Sequence, residues 1–311
     1  YVHMNTAVPK LETNNPVDHT MIIWKFMSIF LAVSLSSTRS LALITTSSTS
    51  SIRSRTFRAV RELSAMSEAT TVDVSLNLQD VRNRIQAAME KSTNANTVQL
   101  VAVSKTKPVE LLMAAYDQDQ RVFGENYAQE LMDKAQVMPR DVHWHYIGTL
   151  QSNKVNGLVK SVIPKAASLT VETVSSLKVA KKLNSAMETI CDEDPNLGKD
   201  TLSIFVQVNT SGEDSKSGIE PSDVVSFCRE IKSTCDKLQL KGLMTIGAEG
   251  DVSCFDCLVQ CRNEVSDALG IPLEKLELSM GMSGDFEEAI AKGATYVRIG
   301  STIFGARDYT K

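Results

Sequence analysis

Cysteine is absent from the first 190 residues, and all six cysteines lie at Cys191 or beyond it. Three of them, Cys254, Cys257 and Cys261, fall at helical spacing in a stretch that reads as a helix. That Cys-x-x-Cys has no second pair and no histidine cluster to complete a metal site. The spacing therefore fits small buried thiols in a reducing compartment, and no metal is expected. Long basic runs are also missing, and the net charge is -4 over 311 residues. Together these exclude nucleic acid or an anionic membrane as the main partner, while leaving room for a local anion site. No internal repeat is visible, so a solenoid is excluded. Hydrophobic residues at 42% and charged residues at 23% are the proportions of a globular protein able to build a core.

Acidic residues are missing from His19 to Arg61, where Lys25, Arg39, Arg53, Arg55, Arg58 and Arg61 are spread through a tract dense in Ser and Thr. The apolar run at 26–35 has signal-peptide length and is too short to span a bilayer, and STRSLALITTSSTSSIRSRTFRAV resembles a transit peptide. Residues 1–70 are therefore expected to be a disordered leader, addressed to a mitochondrion or plastid. A translation start at Met66 is the alternative and would leave a cytoplasmic protein.

From about Val72 the texture becomes periodic, and 71–311 is expected to be a single domain. LNLQDVRNRIQAAMEKS sets Leu78, Val81, Ile85, Ala88 and Met89 on one helical face. Strands are expected at 98–104, 121–124, 144–147, 168–171, 202–208, 239–246, 276–280 and 296–299, with helical segments between them. Eight strands alternating with helices over about 230 residues predict an α/β fold, a closed (β/α)8 TIM-type barrel. An open doubly wound sheet is the runner-up.

In such a barrel chemistry sits at the C-terminal ends of the strands, and phosphate is held after strands seven and eight. MGMSGDFEEAI (280–290) follows the expected seventh strand and GSTIFG (300–305) the eighth. Each combines glycine, which lets backbone approach a ligand, with hydroxyls beside a helix start, where free N–H groups meet an anion. Either loop alone reads as an ordinary helix cap, but their joint position points to an anion site. Side-chain parity turns Tyr296 and Arg298 into the barrel and sets Val297 and Ile299 against the outer helices. In the fifth strand Ile204, Val206 and Val208 face out, leaving Gln207 and Asn209 inside.

The first strand, VAVSKTKP at 101–108, runs Val101 and Val103 inward to Lys105. An inward lysine is ordinarily a salt-bridge partner. No inward carboxylate is expected beside this one, and a phosphate site is. Partial desolvation, with Lys107 and Arg298 near, disfavours the ammonium form and leaves neutral amine, which condensation with an aldehyde requires. A cofactor carrying both an aldehyde and a phosphate is pyridoxal phosphate.

Seven stretches carry a resemblance: VAVSKTKP, FGENYAQE (123–130), HWHYIGTLQSNK (143–154), NTSGEDSKSG (209–218), GLMTIG (242–247), MGMSGDFEEAI and VRIGSTIFGAR (297–307). In this order, over about residues 75–308, they resemble the pyridoxal phosphate homeostasis protein family, single-domain relatives of the alanine racemase barrel of fold type III. The resemblance implies that Lys105 forms the internal aldimine, that Ser283, Gly300, Ser301 and Thr302 hold the phosphate, and that Arg298 faces the pyridine nitrogen. It places Asn126, His145, Asn209 and Met244 around the pocket, although a histidine in WHY equally suits a satisfied core position. Gly284 departs from the acidic residue that relatives often carry, which bears on how that loop caps its helix.

The function so implied is storage of pyridoxal phosphate and its delivery to apo-enzymes, by a monomer without established turnover. A permanently charged arginine at the pyridine nitrogen weakens the electron sink, and the resemblance supplies no second domain with a tyrosine base. The competing enzyme is an amino-acid racemase, which needs an acid/base group on each face of the cofactor. A barrel enzyme acting on sugar phosphates is the third reading, and it predicts no visible absorbance from bound cofactor.

Overall fold

The structure is a computed structural model and describes residues 72–92, 97–213 and 217–306; the expected leader, its apolar run and Met66 lie outside them. The alternation seen in the sequence becomes β1 (Gln99–Val103), β2 (Val122–Glu125), β3 (His143–Tyr146), β4 (Ser168–Val174), β5 (Leu202–Gln207), β6 (Leu238–Met244), β7 (Glu277–Ser279) and β8 (Tyr296–Ile299). All are parallel and neighbour one another in chain order. β8 returns to β1 through Leu100↔Val297 and Ala102↔Ile299, which closes the sheet and rules out the open one.

Helices α2 (Val109–Tyr116), α3 (Ala128–Val137), α4 (Val155–Val162), α5 (Leu177–Glu193), α6 (Val224–Thr234), α7 (Ser253–Leu269) and α8 (Phe286–Ala291) follow β1 to β7 in turn. The helix after β8, α9 (Ser301–Phe304), has four residues. At about 1.5 Å per residue it is too short to cover the seam between β8 and β1. The first helix, α1 (Val74–Lys91), covers it instead and packs against α2, α8 and α9. Asp73 caps α1 by accepting the Leu76 N–H at 3.0 Å. Its predicted apolar face is buried at Leu78, Val81 and Ile85. Asn77 donates to the Ile303 carbonyl at 3.1 Å, and the Arg84 guanidinium lies 4.6 Å over the Phe286 ring.

Two apolar layers follow from strand parity. Val297, Ile299, Leu100, Ala102, Ile204, Val206 and Val208 belong to the layer between sheet and helices. Val101, Val122, Phe205, Met244 and Tyr296 fill the interior of the barrel. Burying one such aliphatic side chain is worth about 1.5–3 kcal/mol, so facing is settled by many residues at once. Gly124 is the inward position where a side chain has no room, because a Cβ there would lie 2.9 Å from Val101 Cγ1.

Two strands run past their expected ends. β4 continues to Val174, with a register shift against β5 between Val171 and Val174, and β2 takes in Glu125. Both extensions carry a fully buried carboxylate, Glu172 and Glu125. Alternation from Ser168 and Thr170 carries Glu172 into the barrel, an inward carboxylate beside Arg298 that the sequence reading did not anticipate. An isolated glutamate gives no strand signal, so the sequence reading stopped one residue short of each.

Candidate functional site

At the C-terminal end of the barrel a cavity of about 260 Å³ is lined by Lys105, Lys107, Arg298, Ser283, Gly300 and Ser301, with Val103 and Ile147 on its apolar side. It brings together the loops after β1, β7 and β8. Three cations and no carboxylate line it, and the Ser301 hydroxyl donates to Ser283 Oγ at 3.4 Å. Gly300 lets the last loop lie on β1, where an added Cβ would sit 3.1 Å from the Val103 carbonyl. The lining suits an anion attached to a flat apolar body.

Lys105 is half-buried at the end of β1, and its neighbours are clamped. Ser104 donates from Oγ to Glu125 Oε1 at 2.6 Å and accepts at its carbonyl from Lys134 Nζ at 2.8 Å. Thr106 has φ +60°, in the left-handed region that non-glycine residues avoid. Its N–H donates to Glu130 Oε1 at 2.7 Å, which holds the turn in place. Lys134 ties the clamp together, donating to Glu125 Oε1 and Glu130 Oε1 at 2.7 Å each.

Burial pushes the Glu125 carboxyl up to about 7 against the opposing pull of Lys134 and Ser104. Burial wins because both donors reach Oε1 and the buried Oε2 has no hydrogen-bond partner.

Arg298 is 4% exposed and reaches the cavity from inside the barrel. Its Nη1 donates to Ser279 Oγ at 2.7 Å and its Nη2 to the Thr245 carbonyl at 2.7 Å. The Ser279 hydroxyl donates to Glu172 Oε2 at 2.5 Å, and Glu172 Oε1 lies 2.5 Å from His145 Nδ1. Burial by itself would raise the Glu172 carboxyl, but His145, Arg298 and Ser279 together hold it below the usual carboxylate range. Here both oxygens have donors, which is the difference from Glu125.

The remaining predicted residues lie outside this cavity. Met244 belongs to the interior apolar layer. Asn209 is turned into its own loop, donating to the Glu213 carbonyl at 3.2 Å and to Glu220 Oε1 at 3.0 Å. Asn126 lines a separate hollow with Tyr127, Gly148, Gln151 and Lys154, and Thr302 sits half-buried in α9. His145 lines the opposite, N-terminal mouth of the barrel, in a larger cavity of about 870 Å³ with His143, Arg82, Arg121, Lys241 and Tyr296.

Size alone would favour that mouth, but the lysine, the guanidinium and the two serines converge at the other end, where barrel sites lie. The sequence reading missed Glu125, Glu130, Lys134, Glu172 and Ser279. FGENYAQE did contain the first two, without any signal for what they would hold.

The model of the family described as alanine racemase, N-terminal domain, matches residues 76–308. The mouse pyridoxal phosphate homeostasis protein is 44% identical over 252 residues, which are 76% of this chain and 88% of the relative. The structure of PipY from Synechococcus elongatus with PLP bound superposes with a TM-score of 0.59 at 28% identity, over 75% of this chain and 100% of that one. Alanine racemase of Clostridium difficile, at 16% identity, shares the fold alone, with a TM-score of 0.53 over 78% of this chain and 57% of that one. The chain belongs to the alanine racemase N-terminal domain family, in the group of the pyridoxal phosphate homeostasis proteins.

Proposed function

We propose that the chain binds pyridoxal phosphate in the C-terminal cavity and acts as a carrier that stores the cofactor and passes it to apo-enzymes, without turnover of its own. The observation that carries this is the lining itself: Lys105, Lys107 and Arg298 around two facing serines, with no carboxylate among them. The homeostasis proteins at 42% and 44% identity and PipY with PLP bound support it. When bound, the cofactor supplies an aldehyde that condenses with an amine and releases water. Lys105 supplies the amine, at the end of a strand whose turn is held on both sides. Ser283 and Ser301 offer hydroxyls to the phosphate from the cavity wall, Thr302 stands next to them in α9 just outside that wall, and the first N–H groups of α9 have no carbonyl a turn earlier to bond. Arg298, always charged, would offer a donor to the ring nitrogen and so leave it unprotonated.

The carrier and the racemase part on proton chemistry. A racemase needs a second acid/base group facing Lys105 across the ring. L-Alanine incubated with loaded protein in D₂O is expected to gain no α-deuterium by NMR, while an apo-enzyme mixed with the same protein regains activity. Exchange that depends on Lys105 and reaches about 1 s⁻¹, within the ordinary enzyme range, would establish the racemase.

The phosphate contacts give a second expected result. Replacing Ser301 and Thr302 together by alanine weakens cofactor binding by about 1–3 kcal/mol and leaves the fold intact, because charged hydrogen bonds are lost while backbone donors stay. Equilibrium dialysis measures it, and wild-type affinity in the double variant would remove the phosphate from this loop.

A further inference from the structure

Building on the proposed cofactor site, we propose that Glu172 is a positioning residue: it fixes Arg298 through Ser279 and links that hold, through His145, to the N-terminal mouth of the barrel. Four side chains from four strands form the path. Arginine can only donate and a carboxylate can only accept, so every proton in it is placed by elimination. Arg298 Nη1 gives its hydrogen to Ser279 Oγ, the Ser279 hydroxyl gives its own to Glu172 Oε2, and His145 Nδ1–H points to Glu172 Oε1. Arg298 Nη1 stands 4.0 Å from Glu172 Oε2 with the serine between them.

Arg298 thus spends one hydrogen on Ser279 and one on the Thr245 carbonyl, and three of its five N–H groups remain for the cavity. Glu172 supplies the countercharge without reaching the ligand. A buried ion pair gives little net stability over an apolar replacement, so a role at the site accounts better for one that crosses the barrel interior.

His145 closes the far end of the path: it is 3% exposed, its ring forms part of the wall of the mouth cavity, and among the described residues its Nε2 has no hydrogen-bond partner. Because His145 takes Glu172 Oε1, the other oxygen is left to Ser279 and, behind it, Arg298.

The charged and titratable groups around this path are His143 on β3, Lys241 with Glu277 on β6 and β7, and Tyr296 on β8, whose ring lies 5.2 Å from that of His145. Arg82, Arg121 and Asp119 lie at the mouth, and Asp285 faces Arg298 from the loop after β7.

The test measures pyridoxal phosphate affinity by dialysis, with the visible band of the bound cofactor, in Glu172→Gln, Ser279→Ala and, as control, His143→Gln. His143 lines the same mouth but bonds Ser168 instead, at 2.8 Å. Glu172→Gln is expected to weaken binding about tenfold or more and to shift the visible band of the bound cofactor. Ser279→Ala is expected to weaken binding about threefold or more and to shift the band in the same direction, while His143→Gln keeps the affinity and the band of wild type.

Wild-type affinity with an unshifted band in Glu172→Gln or in Ser279→Ala overturns the proposal. If Glu172→Gln does not fold, Ser279→Ala decides alone. A wild-type protein that takes up no cofactor would fail the proposed function first, and loaded wild type with unaltered variants would fail this inference only. The cofactor-free proteins give a separate readout. Because its carboxyl is held low, Glu172 contributes stability that is lost as pH falls, and Glu172→Gln should lack that component of the melting-temperature profile.

Discussion

The Lys105→Ala protein is expected to fold as wild type does and to lose covalent retention of the cofactor completely. Wild type treated with pyridoxal phosphate and borohydride should carry about one cofactor per chain on the peptide containing Lys105, and the variant none. Folding should survive because Lys105 is only half-buried, and the turn around it is held by Ser104 and the Thr106 N–H. Lys107, Arg298 and the serines remain, so phosphate contacts persist and the variant still binds the cofactor weakly and reversibly. Peptide mapping of the reduced protein checks the assignment. A label on Lys107, or a label that survives in Lys105→Ala, would move the reactive amine elsewhere.

Lys134→Met should produce the largest loss of stability in the domain, about 3–5 kcal/mol at neutral pH, because it leaves a buried carboxylate without its cation. Lys134 and Glu125 side chains are 6% and 0% exposed and lie 2.7 Å apart. The deficit should depend on pH in a definite direction. Burial already pushes Glu125 up to about 7, and removing Lys134 removes a force that lowers it. A carboxyl raised by folding binds its proton more tightly in the folded state, so stability falls as pH rises from the unfolded value through the folded one.

The Lys134→Met deficit is therefore smallest near pH 5 and largest above about pH 7. Denaturant unfolding at both pH values measures it, and a deficit independent of pH would show that Glu125 is not the group left uncompensated. The same substitution should also loosen the Lys105 turn, since Lys134 holds the Ser104 carbonyl and positions Glu130 for Thr106.

Much of the barrel was legible in the chain because its signals are local and repeated. The alternation of Val101 and Val103, of Ile204 and Val206, and of Val297 and Ile299 each says which side of a strand faces which layer. Eight such strands between amphipathic helices admit few architectures. The Gly-Ser loops after the last two strands, which line one cavity, were legible for the same reason, since a helix start and a glycine are properties of short stretches.

Other features depended on residues distant in sequence. Closure is decided by β8 finding β1, nearly 200 residues earlier, and α1 takes the place that the four-residue α9 cannot fill. The alternation on β3 that turns His145 inward does not say that its ring opens on the N-terminal mouth rather than on the cofactor cavity; the height of a residue in the barrel depends on the stagger of all eight strands.

The chain alone determined the fold class, the inward facing of Lys105 and Arg298, and the end of the barrel where the Gly-Ser loops gather, because each follows from periodicity or from a residue's immediate neighbours. Only the tertiary structure decided what Glu125, Glu172, Ser279 and Lys134 do. A buried charge is tolerable only with partners, and apart from Glu130, one turn before Lys134 on the same helix, the partners of these four come from other strands and helices: Glu172 meets Ser279 across 107 positions of sequence. Nothing in a glutamate's own surroundings announces a donor that far away.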